Sequence, residues 1–212
     1  MTGRGFFLVL EGPEGAGKTT LAAALAARLR EAGTAPLAVR EPGGTEVGEA
    51  ARRILLDGEH PLGPAAELFL ILAARAELVR QVIAPALAAG RFVLADRYEL
   101  STLAYQVAGR GLPRAAVEQA NALATGGLAP DLVLVLDLDP AAGRRRQEDS
   151  GKVRDRLDRE TEAFHRRVGA CYRDAQGPTI RHLDAAQPPA AVAEAAWQVL
   201  RAAWHPEGVR GV

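Results

Sequence analysis

Two lysines stand against 24 arginines in this chain, and one of them, Lys18, lies in the octapeptide GPEGAGKT, Gly12 to Thr19. An apolar run, Phe6 to Leu10, precedes it and an alanine-rich stretch follows. The octapeptide fits G-x-x-x-x-G-K-[ST] without a mismatch, and the chemistry of such a loop is phosphate binding. Glycines let the backbone close on an anion that a Cβ would keep away, while N–H groups of the loop and of the next helix converge on it. A compact ammonium fits between two phosphates where a planar guanidinium is too wide, which explains the lysine. Gly12, Pro13, Glu14, Gly15, Ala16, Gly17, Lys18 and Thr19 are therefore expected to bind a nucleoside triphosphate, with Thr19 also bound to Mg²⁺. The plainer alternative is a glycine turn that only caps a helix.

A triphosphate can be transferred or hydrolysed, and three further segments favour transfer. REPGGT (Arg40 to Thr45) and DRYELST (Asp96 to Thr102) each follow an apolar run, so an arginine stands at two neighbouring strand ends, suited to gripping a monophosphate. Asp96 is placed to orient the attacking oxygen or to hold the water shell of Mg²⁺. A loop salt bridge between Asp96 and Arg97 is the alternative. In ELFLILAARAELVRQVI (Glu67 to Ile83), Leu68, Ile71, Leu72, Leu78, Val79 and Val82 form an apolar stripe that includes Arg75. A guanidinium on that face needs a partner: a ligand, a core carboxylate, or solvent reached by snorkelling. Finally GRRRQEDSGKVRDRLDRE, Gly143 to Glu160, is dense in charge of both signs and almost free of apolar residues. It is expected to be an exposed, mobile cover beside the phosphates, a short lid, or else a solvated helix face. A guanine-specific switch would carry N-K-x-D, which the sequence lacks. An ATP-driven switch or partition protein remains the alternative outside the kinases.

The elements that must position these residues follow from periodicity. Apolar runs at Phe6–Leu10, Leu37–Arg40, Phe92–Ala95, Leu132–Asp137 and Thr179–Leu183 read as buried strands. Helical patterns cover Lys18–Glu31, Glu46–Leu56, Pro64–Ala88, Ser101–Ala108, Pro113–Ala124, Pro140–Gln147, Arg159–Ala175 and Pro189–Ala203. The alternation predicts one α/β domain over residues 1–212: a three-layer P-loop NTPase fold, a five-stranded parallel sheet with helices on both faces, and a lid near 143–160. Acidic and basic residues balance at 26 each, so no bulk charge calls for a nucleic-acid partner or a membrane surface. One cysteine, Cys171, excludes an internal disulfide framework, and no run is long enough for a signal-peptide core or a membrane span. A cytoplasmic location is expected.

With these segments in order, the sequence resembles the bacterial-type thymidylate kinases. EGPEGAGKTT, REPGGT, AAR ending at Arg75, DRYELSTLAYQ, GRGL, PDLVLVLDLDP and RLDRETEAFHRRVGACY occur in the family's order. The resemblance implies a homodimer that converts ATP and dTMP to ADP and dTDP with Mg²⁺. Carried onto matching positions, Glu14 approaches the 3′-hydroxyl of dTMP, Arg97 holds its phosphate, and Asp96 lies near the metal. Arg75 faces the thymine carbonyl edge, and Ser101, Thr102 and Tyr105 line base and sugar, with the Tyr105 ring disfavouring a ribose 2′-hydroxyl. Arg146, Lys152, Arg154 and Arg156 fall in the lid: Arg146 toward ATP, Arg154 and Arg156 toward the transferred phosphoryl beside Lys18, Arg97 and Asp96. The P-loop position at which some members carry a catalytic arginine is Gly15 here. Where the family has an aromatic ring stacked on thymine, this chain has Ile71, with Phe69 on another face of the helix.

Overall fold

Alternation within the apolar runs decides the layering, because successive strand residues face opposite sides of a sheet. The computed structural model describes residues 4–57, 61–149, 151 and 154–204. Its strands are β1 (Phe7–Glu11), β2 (Leu37–Arg40), β3 (Val93–Asp96), β4 (Leu132–Asp137) and β5 (Ile180–Asp184), all parallel and in the order β2-β3-β1-β4-β5. Leu8 and Leu10 of β1, with Leu94 of β3 and Leu132, Leu134 and Leu136 of β4, pack against α1 (Lys18–Glu31) and α9 (Pro189–Ala203). The intervening residues Phe7, Val9, Val93, Val133 and Val135 face the other layer, which includes α8 (Glu162–Arg173). The result is the expected three-layer α/β fold.

β1, β3 and β5 each run one residue further than their apolar stretches suggest, ending on Glu11, Asp96 and Asp184. Backbone pairing carries on regardless of the polar side chain: Leu10 pairs with Asp96, Glu11 with Val135 and Asp137 with Asp184. The carboxyl edge of the sheet is thus fringed with acids. β2, β4, α1, α9 and α2 (Glu46–Leu56) have the expected bounds, and α2 is capped by Thr45, whose hydroxyl accepts the Gly48 N–H at 3.0 Å. Gly58, two residues past the helical pattern Glu46–Leu56 and so its expected stop, lies outside the described residues.

Two helical stretches contain a π turn where regular helix was expected, and α8 starts three residues after the expected Arg159. Pro64–Ala88 is helical throughout but divides into α3 (Pro64–Leu78), a π turn (Val79–Ile83) and α4 (Ala84–Ala88). Pro85 has no N–H to donate to the preceding turn, and the wider π turn accommodates the gap. Likewise α5 (Glu99–Thr102) opens into a π turn, Leu103–Gly109, before α6 (Arg114–Thr125). Among its described residues, the 143–160 stretch is exposed in part and buried in part. Its first part belongs to α7 (Pro140–Asp149), and Asp158 further on is buried, accepting Gln147 Nε2 at 2.9 Å and the Asp155 N–H at 3.1 Å. Hydrogen bonds thus seat a charged segment that has little apolar surface to bury.

Candidate active site

The turn out of β1 carries the glycine-rich octapeptide expected to bind phosphate, and Lys18 is the first residue of α1. Its side chain is buried, with Nζ donating to Gly12 O at 2.9 Å and Pro13 O at 2.8 Å. Burial lowers its pKa to about 8, Arg97 adds to that, and Glu14 and Asp96 oppose it. Thr19 Oγ1 lies 3.1 Å from Asp96 Oδ2 at the end of β3. Hard oxygen donors from one carboxylate and one hydroxyl beside a phosphate loop suit Mg²⁺, which takes its remaining positions from water and phosphate. A glycine at position 15 has a packing reason. A Cβ there would lie 2.1 Å from Gly143 O, and one on Gly143 would lie 2.1 Å from Glu14 O, so loop and α7 meet backbone to backbone.

Arg97 follows β3 in a left-handed conformation, φ 78°, rare for a residue with a side chain. Its backbone N–H donates to Leu10 O at 2.9 Å, continuing the sheet, while the side chain turns under the loop. NH1 donates to Tyr172 OH at 2.9 Å, Ser101 Oγ at 3.1 Å and Gly12 O at 3.2 Å, and NH2 to Glu14 Oε1 at 2.5 Å. Burial is the largest influence and opposes its charge, but Glu14, Tyr105, Tyr172 and Asp96 together more than offset it and the pKa is raised. Tyr105 OH also donates to Glu14, at 3.2 Å. Glu11, wholly buried at the end of β1, receives the Tyr98 and Ser101 N–H groups at 2.8 and 3.1 Å and Ser101 Oγ at 2.6 Å, which ties the Arg97 turn to the sheet. Burial pushes the Glu11 carboxyl up.

Arg75 is 1 % exposed. Its Nε donates to Glu41 Oε2 at 2.7 Å and its NH2 pairs electrostatically with the same oxygen at 2.6 Å; NH1 donates to Thr102 Oγ1 at 2.9 Å and Asn121 Oδ1 at 2.5 Å, and NH2 to Tyr98 O at 2.9 Å. The core-carboxylate alternative is therefore realised, although Arg75 still lines the cleft. So do Ile71, Thr102, Tyr105 and Gln106. Phe69 is 64 % exposed and takes no part. Gln106 is 1 % exposed; its Nε2 donates to Glu67 Oε1 at 2.9 Å and its Oε1 has no partner.

One continuous cleft of about 700 Å³ runs over the loop from Gln187, Pro189 and Val192 on one side to Ile71, Arg75 and Gln106 on the other. It brings together Lys18, Thr19, Asp96, Arg97, Glu14, Ser101, Tyr105 and Arg146, the last donating to Ala185 O at 2.9 Å. Two lid arginines are placed elsewhere. Arg154 donates to Asp158 O at 2.6 Å, and Arg156 to Glu67 Oε2 at 2.6 Å and Leu55 O at 2.8 Å. Lys152 lies outside the described residues. Arg40 pairs with Glu49 at 3.1 Å, and Arg52 stands beside it on the cleft wall. Glu11, Glu41, Glu67, Gln106 and Tyr172 escaped the sequence analysis. For the glutamates, the available signal was a charge inside or next to an apolar run. Gln106 and Tyr172 carried none.

A family model described as "Thymidylate kinase" matches residues 10–196. A protein named "Thymidylate kinase" from Thermomicrobium roseum is 51 % identical over 197 residues, 91 % of this chain and 92 % of that one. Another so named, from Deinococcus radiodurans, is 49 % identical over 188 residues, covering 87 % and 91 %.

Proposed function

The chain belongs to the thymidylate kinase family and phosphorylates dTMP to dTDP with ATP as donor, and we propose that it does so by direct in-line transfer within the cleft described above. The observation that carries this reading is that one cleft joins the ammonium of Lys18 to a recess holding Arg97 and closed by Ile71, Arg75 and Gln106. ATP lies over Gly12 to Thr19 with its base toward Arg146, Gln187 and Val192. The dTMP phosphate replaces hydroxyl and carbonyl partners on Arg97. Its oxygen is already anionic, so no strong general base is needed, and the work is positioning and charge neutralisation. Thr19 and Asp96 would hold Mg²⁺, which when bound offsets phosphate charge. Glu14 meets the sugar 3′-hydroxyl, and Tyr105, the one aromatic residue among the described lining, crowds the 2′ position.

The thymine ring lies on Ile71 and reaches two kinds of group. Gln106 offers a free acceptor to the imide N–H, and Arg75 and Thr102 stand at the carbonyl edge. Arg154 would serve the transferred phosphoryl only by giving up the Asp158 carbonyl it holds at 2.6 Å, within the 154–160 segment that Arg156 anchors. A homodimer is also part of this reading. Phe69 on α3 and Leu123 on α6, 64 % and 87 % exposed, support a contact through these helices, and Leu123→Glu should shift the mass measured by light scattering to that of a monomer. No helix among the described residues is long and apolar enough to cross a membrane, and with a single cysteine this supports a cytoplasmic enzyme. The test is a screen of the common NMPs and dNMPs with ATP and Mg²⁺. ADP release stimulated most by dTMP is expected, and slow hydrolysis indifferent to every monophosphate would indicate a switch instead.

A further inference from the structure

Glu67 is the most buried charge on α3, with no exposed side-chain surface, and it lies outside the cleft lining. Four donor atoms converge on it. Oε1 accepts Gln106 Nε2 at 2.9 Å and Arg110 Nε at 3.0 Å, while Oε2 accepts Arg110 NH2 at 2.8 Å and Arg156 NH2 at 2.6 Å. Arg110 NH1 is balanced in turn by Glu160 at 2.6 Å, and its guanidinium lies 4.7 Å from the centre of the Phe164 ring. Two carboxylates thus meet two guanidiniums, a balanced set in which the Glu67 negative charge is stabilised. Burial alone would raise the Glu67 pKa, but hydrogen bonds from Arg110, Gln106 and Arg156 hold it below the ordinary carboxylate value.

An ionised carboxylate only accepts hydrogen bonds. A carboxamide beside it must therefore present its NH₂ end, whichever way the two ends might otherwise turn. That determines the rest of Gln106: with Nε2 on Glu67, the remaining end is the carbonyl oxygen, the atom without a partner in a residue that lines the cleft.

We propose that Glu67 is a positioning residue for base selection, which holds the Gln106 amide with its acceptor free and so sets the cleft to favour a base edge that donates a hydrogen bond over one that presents a lone pair. The inference rests on the functional reading above and names what enforces its base preference. A pyrimidine imide carries an N–H at ring position 3, whereas cytosine carries a lone pair there. Opposite a fixed acceptor the first is satisfied, and the second leaves two acceptors facing each other in a buried site. Because Arg156 rides on the same carboxylate, the segment after α7 is tied to the group that orients the base reader.

The test compares dTMP with dCMP for binding by calorimetry and for turnover with ATP. In the wild-type protein dTMP should bind more tightly. Glu67→Gln removes the charge and lets either amide end face Gln106, so the dTMP-to-dCMP ratio should narrow about tenfold, with ATP affinity changed less than about twofold. Gln106→Met should narrow the ratio similarly. Adding Glu67→Gln to it should narrow the ratio no further, because both act on one contact. A ratio unchanged in Glu67→Gln, or further narrowing in the double variant, overturns the proposal. Should Glu67→Gln not fold, the wild-type protein still decides. The NMR resonances of the Gln106 side-chain NH₂ should keep their free-protein positions when dTMP binds, while its carbonyl carbon moves; the reverse puts Nε2 on the base and overturns the role. Failure of the wild-type protein to bind dTMP removes the functional reading and the base-selection role with it, whereas tight dTMP binding with an unchanged ratio in Glu67→Gln removes Glu67 alone.

Discussion

Arg75 and Arg97 line the same cleft, yet the protein holds them in opposite ways. Every nitrogen of Arg75 has a partner that belongs to the framework: a buried carboxylate, a backbone carbonyl, a threonine and an asparagine. Arg97 springs from a left-handed turn, keeps 13 % of its side chain exposed, and leans on the hydroxyls of Ser101 and Tyr172 and a loop carbonyl, with Glu14 as its ion-pair partner. Hydroxyls and a half-exposed carboxylate yield to a phosphate at modest cost, whereas stripping Arg75 would leave Glu41 charged and alone in the core. One end of the cleft is therefore built to exchange partners and the other to stay as it is. The difference lies in the surroundings, since the residue type is the same.

The largest effect should come from the exchangeable end. Lys18→Met should lower phosphoryl transfer roughly 10²–10³-fold in a coupled ADP assay. Its melting temperature at pH 7 should be no lower than that of the wild type, because burial disfavours the ammonium it removes. Near-normal turnover would remove Lys18 from the site. At the fixed end, Arg75→Ala should cost about 3–5 kcal/mol of stability by urea unfolding, through the stranded Glu41 carboxylate. A loss of dTMP affinity without that destabilisation would erase the contrast between the two arginines.

Between the two ends stands the glycine contact of loop and α7. In an ordinary helix Gly→Ala stabilises by about 0.5–1 kcal/mol. At Gly143 the sign should reverse to a loss of about 1–3 kcal/mol, with a raised KM for ATP, because the new Cβ lands on Glu14 O. A stabilised variant with unchanged KM would show that the loop is not seated on α7. The smallest effect is in pH. Only protonated Lys18 attracts phosphate, and its pKa in the folded protein is lowered to about 8. Hence kcat/KM for ATP should fall through one deprotonation as pH rises above that value. Stability should move the other way: between about 8 and the ordinary lysine value of 10.5 the unfolded chain binds the extra proton, so this residue's contribution to stability rises with pH. A flat kcat/KM profile to pH 9.5 would mean that Lys18 keeps its proton in the folded enzyme.

Much of this contrast was out of reach of the sequence. The glycine-rich turn with Lys18 and Thr19 at the head of α1 was legible because its signal is local: eight consecutive residues, a strand before and a helix after. Arg75 was legible as a buried cation but not as a saturated one, because its partners Glu41, Tyr98, Thr102 and Asn121 come from three other parts of the chain. The charge-rich 143–160 stretch suggested an exposed cover. The resemblance sent Arg146 toward ATP and Arg154 and Arg156 toward the transferred phosphoryl; in the structure Arg146 lines the cleft, Arg154 donates to a nearby backbone carbonyl, and Arg156 ends on Glu67.

By itself, the sequence determined what short-range periodicity and loop chemistry encode. These are the alternation of strands and helices, the parallel three-layer fold, the anion cradle, and the order of the segments around it. Tertiary structure decided the rest: the π turn that carries Tyr105 and Gln106, the seat of the loop on α7, and the carboxylates of Glu11, Glu41 and Glu67 that hold the site from behind. The reason is that a buried polar group is stable only with its partners in place, and those partners are set by packing between distant segments.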